Sequence, residues 1–311
     1  LRAAARQMSR LGRGDLADRT RLLVLDLYGE QLKLDKARRL ARHLRSRLVA
    51  RGDVRRAAVV LANLACAEDA ADRVARARDL WRRARRDLEA GSLPALLVRA
   101  NLANVAAESG DLDRAIAEHG MVADAARTLG FDALALQAEL NRAEAEFSAG
   151  LVDVALKRWS MVLAESRREA APLLEATATL DLARAEMELG DLTTALARVE
   201  DALPDLERRG MEVERLRALR LVGVLHARRG DRSRLDSALQ SLDRSGARVQ
   251  RDLLVVETAE AGAGVDPEEV WASARRLERE GLRRRATVGR AWAARRAFEA
   301  GDDRAPGWAR L

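Results

Sequence analysis

The sequence predicts an all-α chain, a solenoid of antiparallel helix pairs laid side by side. Three observations lead there. A phrase returns at a spacing of forty residues: "SGDLDRAIAEHGMVA" at 109–123, "AGLVDVALKRWSMVL" at 149–163, "ELGDLTTALARVEDAL" at 188–203 and "RGDRSRLDSALQSL" at 229–242. Ala, Leu and Arg dominate, all strong helix formers, and five prolines in 311 residues leave room for many unbroken helices. No run of alternating β-branched residues marks a strand.

The elements follow in order. Residues 1–90 read as N-terminal helical repeats in a shifted register. Gly12, Arg13 and Gly14 form a turn, and "RGDLADRTRLLVLDLYGEQLKLDKARRLARHL" then carries two helices. The segment "KARRLARHLRSRLVAR" places Arg38, Arg42 and Arg45 on one helix face and Leu40, Leu44 and Leu48 on another. Residues 91–246 are the regular repeats. Set in rows of forty, one column reads Ala75, Ala115, Ala155 and Ala195; a second, on the preceding helix, reads Ala103, Ala143, Ala183 and Gly223. Small side chains there let two antiparallel helices approach closely. Between the columns lie Gly110, Gly150, Gly190 and Gly230. A glycine just past a helix end takes the left-handed conformation that closes the helix. Asp111, Asp191 and Asp231 follow and are expected to cap the next helix. Each unit is therefore helix, turn, helix and short loop, and such units bury their apolar faces by stacking. Residues 247–311 are expected to be divergent or capping helices. Asp266 before Pro267 is an N-cap followed by proline at the first helical position. Trp271, Ala274 and Leu277 then share a face, and "RATVGRAWAARRAFEAGDD" reads as one more helix.

On these residues the chain resembles the tetratricopeptide-repeat (TPR) family. The carriers are a small residue, a Gly-Asp turn and an alanine twelve positions on, as in "LANVAAESGDLDRAIA" and "LDLARAEMELGDLTTALA"; "LVGVLHARRGDRSRLD" is a weaker copy, with Leu235 in place of the alanine. The family unit is about 34 residues, so a forty-residue period implies helices about one turn longer. Units of this length are similar to the repeats of kinesin light chain, of LuxR-type regulators and of bacterial CHAT (caspase-like) proteases. The terminal "RAPGWARL" resembles a phrase of CHAT repeat regions. The resemblance implies a right-handed superhelix that binds a protein or peptide and has no catalytic residues of its own. It departs at the family's large aromatic positions: Ala106, Glu146, Glu186 and His226 stand in the Tyr-like column, and His119 and Val199 stand where Trp159 keeps a ring.

Composition excludes several classes. One cysteine, Cys66, allows no disulfide framework and suggests a reducing compartment, the cytoplasm. No stretch has the roughly 18 apolar residues of a membrane span, and the start is too charged for a signal peptide. A first residue of Leu rather than Met reads as an excised piece of a larger polypeptide. Three scattered histidines and one cysteine have no metal-ligand spacing, and there is no phosphate-binding glycine loop, so no cofactor or metal is expected. Cys66 in "LANLACAEDA" reads as a small buried residue, and the carboxylates read as caps and solvated faces. The charge is +7 overall, but residues 1–60 carry 16 Lys+Arg against 6 Asp+Glu while residues 100–210 carry 11 against 21. With an acidic middle and few aromatic residues to stack bases, the Arg runs weigh towards solvated helix faces over nucleic-acid binding.

The resemblance also places a binding groove on the first helix of each pair. Counting from the small column gives Leu97, Ala100, Asn104 and Glu108; then Gln137, Leu140, Glu144 and Phe147; then Thr177, Leu180, Arg184 and Met187; then Arg217, Arg220, Val224 and Arg228. Glu188 lies beside Arg184 on the same side. The column Asn104, Glu144, Arg184, Val224 changes chemistry at each step, as a partner-specific surface would. Asn104 and Asn141 fall where some TPR proteins place the asparagines of a carboxylate clamp. Ala100, Thr177 and Asp181 replace its cations, so chaperone-tail recognition does not fit. A partner segment of mixed charge is expected instead.

Overall fold

The computed structural model describes residues 1–31, 33–71, 73–262, 264–280 and 282–302. The phrase "RAPGWARL" lies outside them. Among the described residues there are sixteen α-helices and no strand. The chain divides into two units, Leu1–Leu151 and Val152–Leu311. The first holds α1 (Arg2–Arg10), α2 (Gly14–Glu30), α3 (Leu34–Ala50), α4 (Val54–Ala70), α5 (Val74–Asp87), α6 (Leu93–Glu108), α7 (Leu112–Thr128) and α8 (Asp132–Ser148). The second holds α9 (Val152–Arg168), α10 (Pro172–Glu188), α11 (Leu192–Arg208), α12 (Glu212–Arg228), α13 (Arg232–Arg244), α14 (Arg248–Glu260), α15 (Pro267–Arg279) and α16 (Arg283–Glu299). In each unit successive helices pack as antiparallel neighbours, and first helices also touch the next first helix, as in α2 with α4 and α12 with α14. This is the all-α, TPR-like solenoid that the repeat predicts.

One backbone device sets the spacing. Gly190 follows α10 with φ +88°, and the Asp191 N–H donates to the Glu186 carbonyl at 2.9 Å. That bond spans five residues and satisfies a carbonyl left without a helical partner. The same left-handed step also occurs at Gly130 and Gly210, in the loops between repeats. The period of the punctuation is thus twenty residues, one helix of 17 and a three-residue turn. At the matching place between α9 and α10 stands Ala170, the one non-glycine among the described residues with positive φ, at +51°. Its neighbour Ala171 still makes the closing bond, to the Ser166 carbonyl at 2.8 Å.

The caps are mixed. Asp191, Asp231 and Asp266 accept backbone N–H bonds from Thr194, Arg234 and Glu268 at 3.0–3.1 Å. Asp111 accepts none and lies 4.0 Å from Arg114, so the expectation for this residue is corrected. Asp53, which the spacing did not single out, caps α4 through Arg56.

The small columns are buried at Ala103, Ala143 and Ala183 and at Ala115, Ala155 and Ala195. Ala75 is exposed, and Ala77 fills its place. The reason is a lost pair of residues. N-caps Arg13, Lys33, Asp53 and Arg73 run in steps of twenty, and the next, Ser92 and Asp111, come at steps of nineteen. At Gly223 an added Cβ would lie 2.7 Å from Leu254, so α12 and α14 approach as closely as the missing side chain allows. Trp159 is fully buried in α9, and Trp271, Ala274 and Leu277 share a buried face of α15.

Several carboxylates depart from the expected solvated faces. Glu68 is 0 % exposed and receives a two-pronged contact from Arg38, at 2.7 and 2.6 Å, with Arg76 at 3.0 Å. Asp18, Glu139, Glu146 and Asp252 are also buried, each beside at least one arginine. Alternating Glu and Arg on a helix reads as surface, but at Glu68, Glu139 and Asp252 the partner arginine comes from another helix and reaches a carboxylate that is itself buried. Glu146, Glu186 and His226 stand in the column where the TPR pattern has its Tyr-like ring, and Glu68 matches them in that its carbonyl, like theirs, accepts the N–H of the residue five positions on. Glu186 takes a two-pronged contact from Arg198 of the next helix.

Candidate functional site

In the second unit, α10, α12, α14 and α16 enclose a cleft of about 340 Å³. Its floor is apolar: Leu180, Met187 and Val224 are buried, with Leu221 and Ala261 beside them. Its rim carries five arginines, Arg184, Arg217, Arg220, Arg228 and Arg285, and four carboxylates, Asp181, Glu188, Glu257 and Glu260. The sequence reading places five of its ten site residues here: Arg184, Glu188, Arg217, Arg220 and Arg228.

Each arginine is held differently. Arg184 pairs with Glu188 one turn on, at 3.2 Å. Arg228 donates to the Met187 carbonyl at 3.1 Å, which ties α12 to the C-terminal end of α10, the negative end of that helix. Arg220 meets Glu257 of α14 at 2.8 Å, and Arg285 approaches the same carboxylate at 3.9 Å. Burial lowers the pKa of Arg220 and raises that of Glu257, while the opposite charge works against both shifts. Arg217 has no ion-pair partner among the described residues. It is the cation on this rim that a ligand carboxylate can engage without breaking an existing pair.

The other five predicted residues lie in the first unit. Asn104 and Glu108 are on α6; Gln137, Glu144 and Phe147 are on α8, a first helix adjacent to it. Gln137 donates to Asn141 at 3.1 Å, so those amides satisfy each other. Glu108 is exposed, and Asn104, Glu144 and Phe147 are half-buried.

Glu257, Glu260 and Arg285 belong to the cleft and were missed by forty-residue counting. Glu257 and Glu260 stand ten and thirteen residues past the N-cap of α14, the same steps that Asp181 and Arg184 take past Ala171. The signal was present, but the N-caps Met211 and Ala247 are only 36 residues apart, so the column slips.

Cys66 is exposed rather than buried, and the Asn101 amide donates to its sulfur at 3.8 Å. Local desolvation pushes the thiol pKa up, against what a nucleophile needs. No group of three or more His, Cys, Asp or Glu among the described residues could hold a metal ion. No described helix is long and apolar enough to cross a membrane.

Fold and cleft together define a class: a helical-repeat solenoid with a charged, apolar-floored cleft on its first helices. No protein-family model matches the sequence, and no curated protein does. Solved structures match the fold. Aspartyl phosphate phosphatase F from Bacillus subtilis is 9% identical, with a TM-score of 0.62 over 93% of this chain and 91% of that one. A Rap protein complexed with competence and sporulation factor is 12% identical, with a TM-score of 0.61 over 94% and 96%. The apo form of RapI is 9% identical, with a TM-score of 0.56 over 94% and 95%. At such identity the likeness is one of fold alone.

Proposed function

We propose that the chain is a non-catalytic scaffold that binds a protein or peptide segment of mixed charge, seated in the cleft of α10, α12, α14 and α16. The observation that carries this is the rim: both signs of charge surround an apolar floor, and Arg217 has no ion-pair partner among the described residues. A segment with an apolar side chain flanked by an acidic residue would fill the floor and neutralise Arg217. The Rap protein of like fold, solved in complex with competence and sporulation factor, supports reading such a solenoid as a binder. The phosphatase name of another neighbour is not carried over, because fold does not transmit activity. We further propose that the chain works in the cytoplasm as the repeat region of a larger regulatory or CHAT-protease-like polypeptide. That context rests on the sequence resemblance.

The test is partner capture from the native host, identified by mass spectrometry, with wild type and with Arg184→Glu/Arg217→Glu. These two guanidiniums are partly exposed, and Glu188 opposite Arg184 is exposed as well, so the double variant should keep its helical circular dichroism and lose its partners. Arg220 is a poor choice, since its loss leaves Glu257 desolvated beside a new carboxylate. Undiminished capture by the double variant would place the binding surface elsewhere.

A further inference from the structure

A second cavity lies at the other end of the sequence. It occupies about 440 Å³ between α1, α2 and α3, within the usual range for small-molecule sites. Ala5, Val24, Tyr28 and Leu40 make its apolar wall, and the first three are buried. Arg6, Arg21, Lys36 and Arg39 stand around it, and no carboxylate lines it. Arg21 is engaged, donating to Asp18 at 2.7 Å and Ser9 at 2.8 Å. Arg6, Lys36 and Arg39 have no ion-pair partner among the described residues. Three uncompensated cations over an apolar hollow are the complement of a molecule with an apolar body and one anionic end.

We propose that this pocket binds a small amphipathic carboxylate, its chain against Val24, Tyr28 and Leu40 and its head group between Lys36 and Arg39. The apolar wall supplies most of the affinity by burial, and the cations select against an uncharged chain of the same length. The site is separate from the cleft of the second unit and uses none of its residues.

Isothermal titration calorimetry on the full chain tests it with three probes: decanoate, decanol and acetate. Decanoate should bind, with decanol and acetate each at least about tenfold weaker, since each lacks one half of the recognition. Lys36→Ala/Arg39→Ala should weaken decanoate about tenfold and leave thermal unfolding unchanged, because both side chains are exposed. A pocket-filling variant, Val24→Trp, should abolish decanoate binding whatever the head group. Equal affinity for decanol and decanoate, no loss in the double variant, or no decanoate binding at millimolar concentration would each overturn the proposal.

Discussion

Ala170 carries the clearest cost of any residue. A left-handed alanine is about 1–2 kcal/mol less favourable than a right-handed one, and glycine escapes most of that penalty. Ala170→Gly should therefore stabilise the protein by about 0.5–1 kcal/mol, seen as a rise of about 2–4 °C in melting temperature. His119 is a second such case. Burial lowers its pKa from 6.5 to about 4, only partly offset by Glu118, and its Nδ1 has no hydrogen-bond partner among the described residues. The unfolded chain then binds the proton more tightly than the folded one. Its contribution is complete above pH 6.5 and is lost as pH falls from about 6.5 to about 4. His119→Leu should thus gain on wild type by about 1–2 kcal/mol between pH 7 and pH 5 in denaturant titrations. Glu68 is the third. Glu68→Ala strips Arg38 and Arg76 of a fully buried partner and should cost about 3 kcal/mol by urea unfolding.

At the scale of elements, helix pairing depends on missing side chains. Gly223→Val would drive two methyl groups into Leu254 and Ala238, where even a Cβ lies at 2.7 and 3.3 Å. A loss of about 2 kcal/mol is expected from thermal unfolding, with α12 and α14 the pair forced apart. These elements also show what the sequence could and could not reveal. Gly110, Gly150, Gly190 and Gly230 stand out as glycines at constant spacing, so the pairs were legible. The second set of turns was not, because Ala170 interrupts Gly130 and Gly210 and its φ is a property of the fold. Buried Glu68 was illegible for a related reason: a carboxylate that meets Arg38 thirty residues away has no local signature. The half of the predicted groove on α10 and α12 converges because both helices keep the period, whereas the contribution of α14 is displaced by its shorter spacing.

At the scale of the whole molecule, each unit has its own apolar clusters. Leu25, Leu44, Leu48 and Trp81 centre one in the first unit, and Leu225, Leu235, Leu242 and Leu254 centre one in the second. Residues 152–311 expressed alone should therefore give a helical circular dichroism spectrum and unfold cooperatively, since stability in such arrays is built from neighbouring repeats. A disordered spectrum would show that the second unit depends on the first.

The twenty-residue turn has a consequence for how this chain can change length. Every left-handed step reverses the direction of the helix that follows, so the turns count in parity. Removing forty residues between equivalent turns takes out an even number of reversals, and each later helix keeps its heading and its side. Removing twenty takes out one, and first helices become second helices from that point on. The arginines of α12 would then point away from the surface they now line. Lengthening or shortening by duplication is therefore quantised in pairs, even though the sequence writes its punctuation one helix at a time.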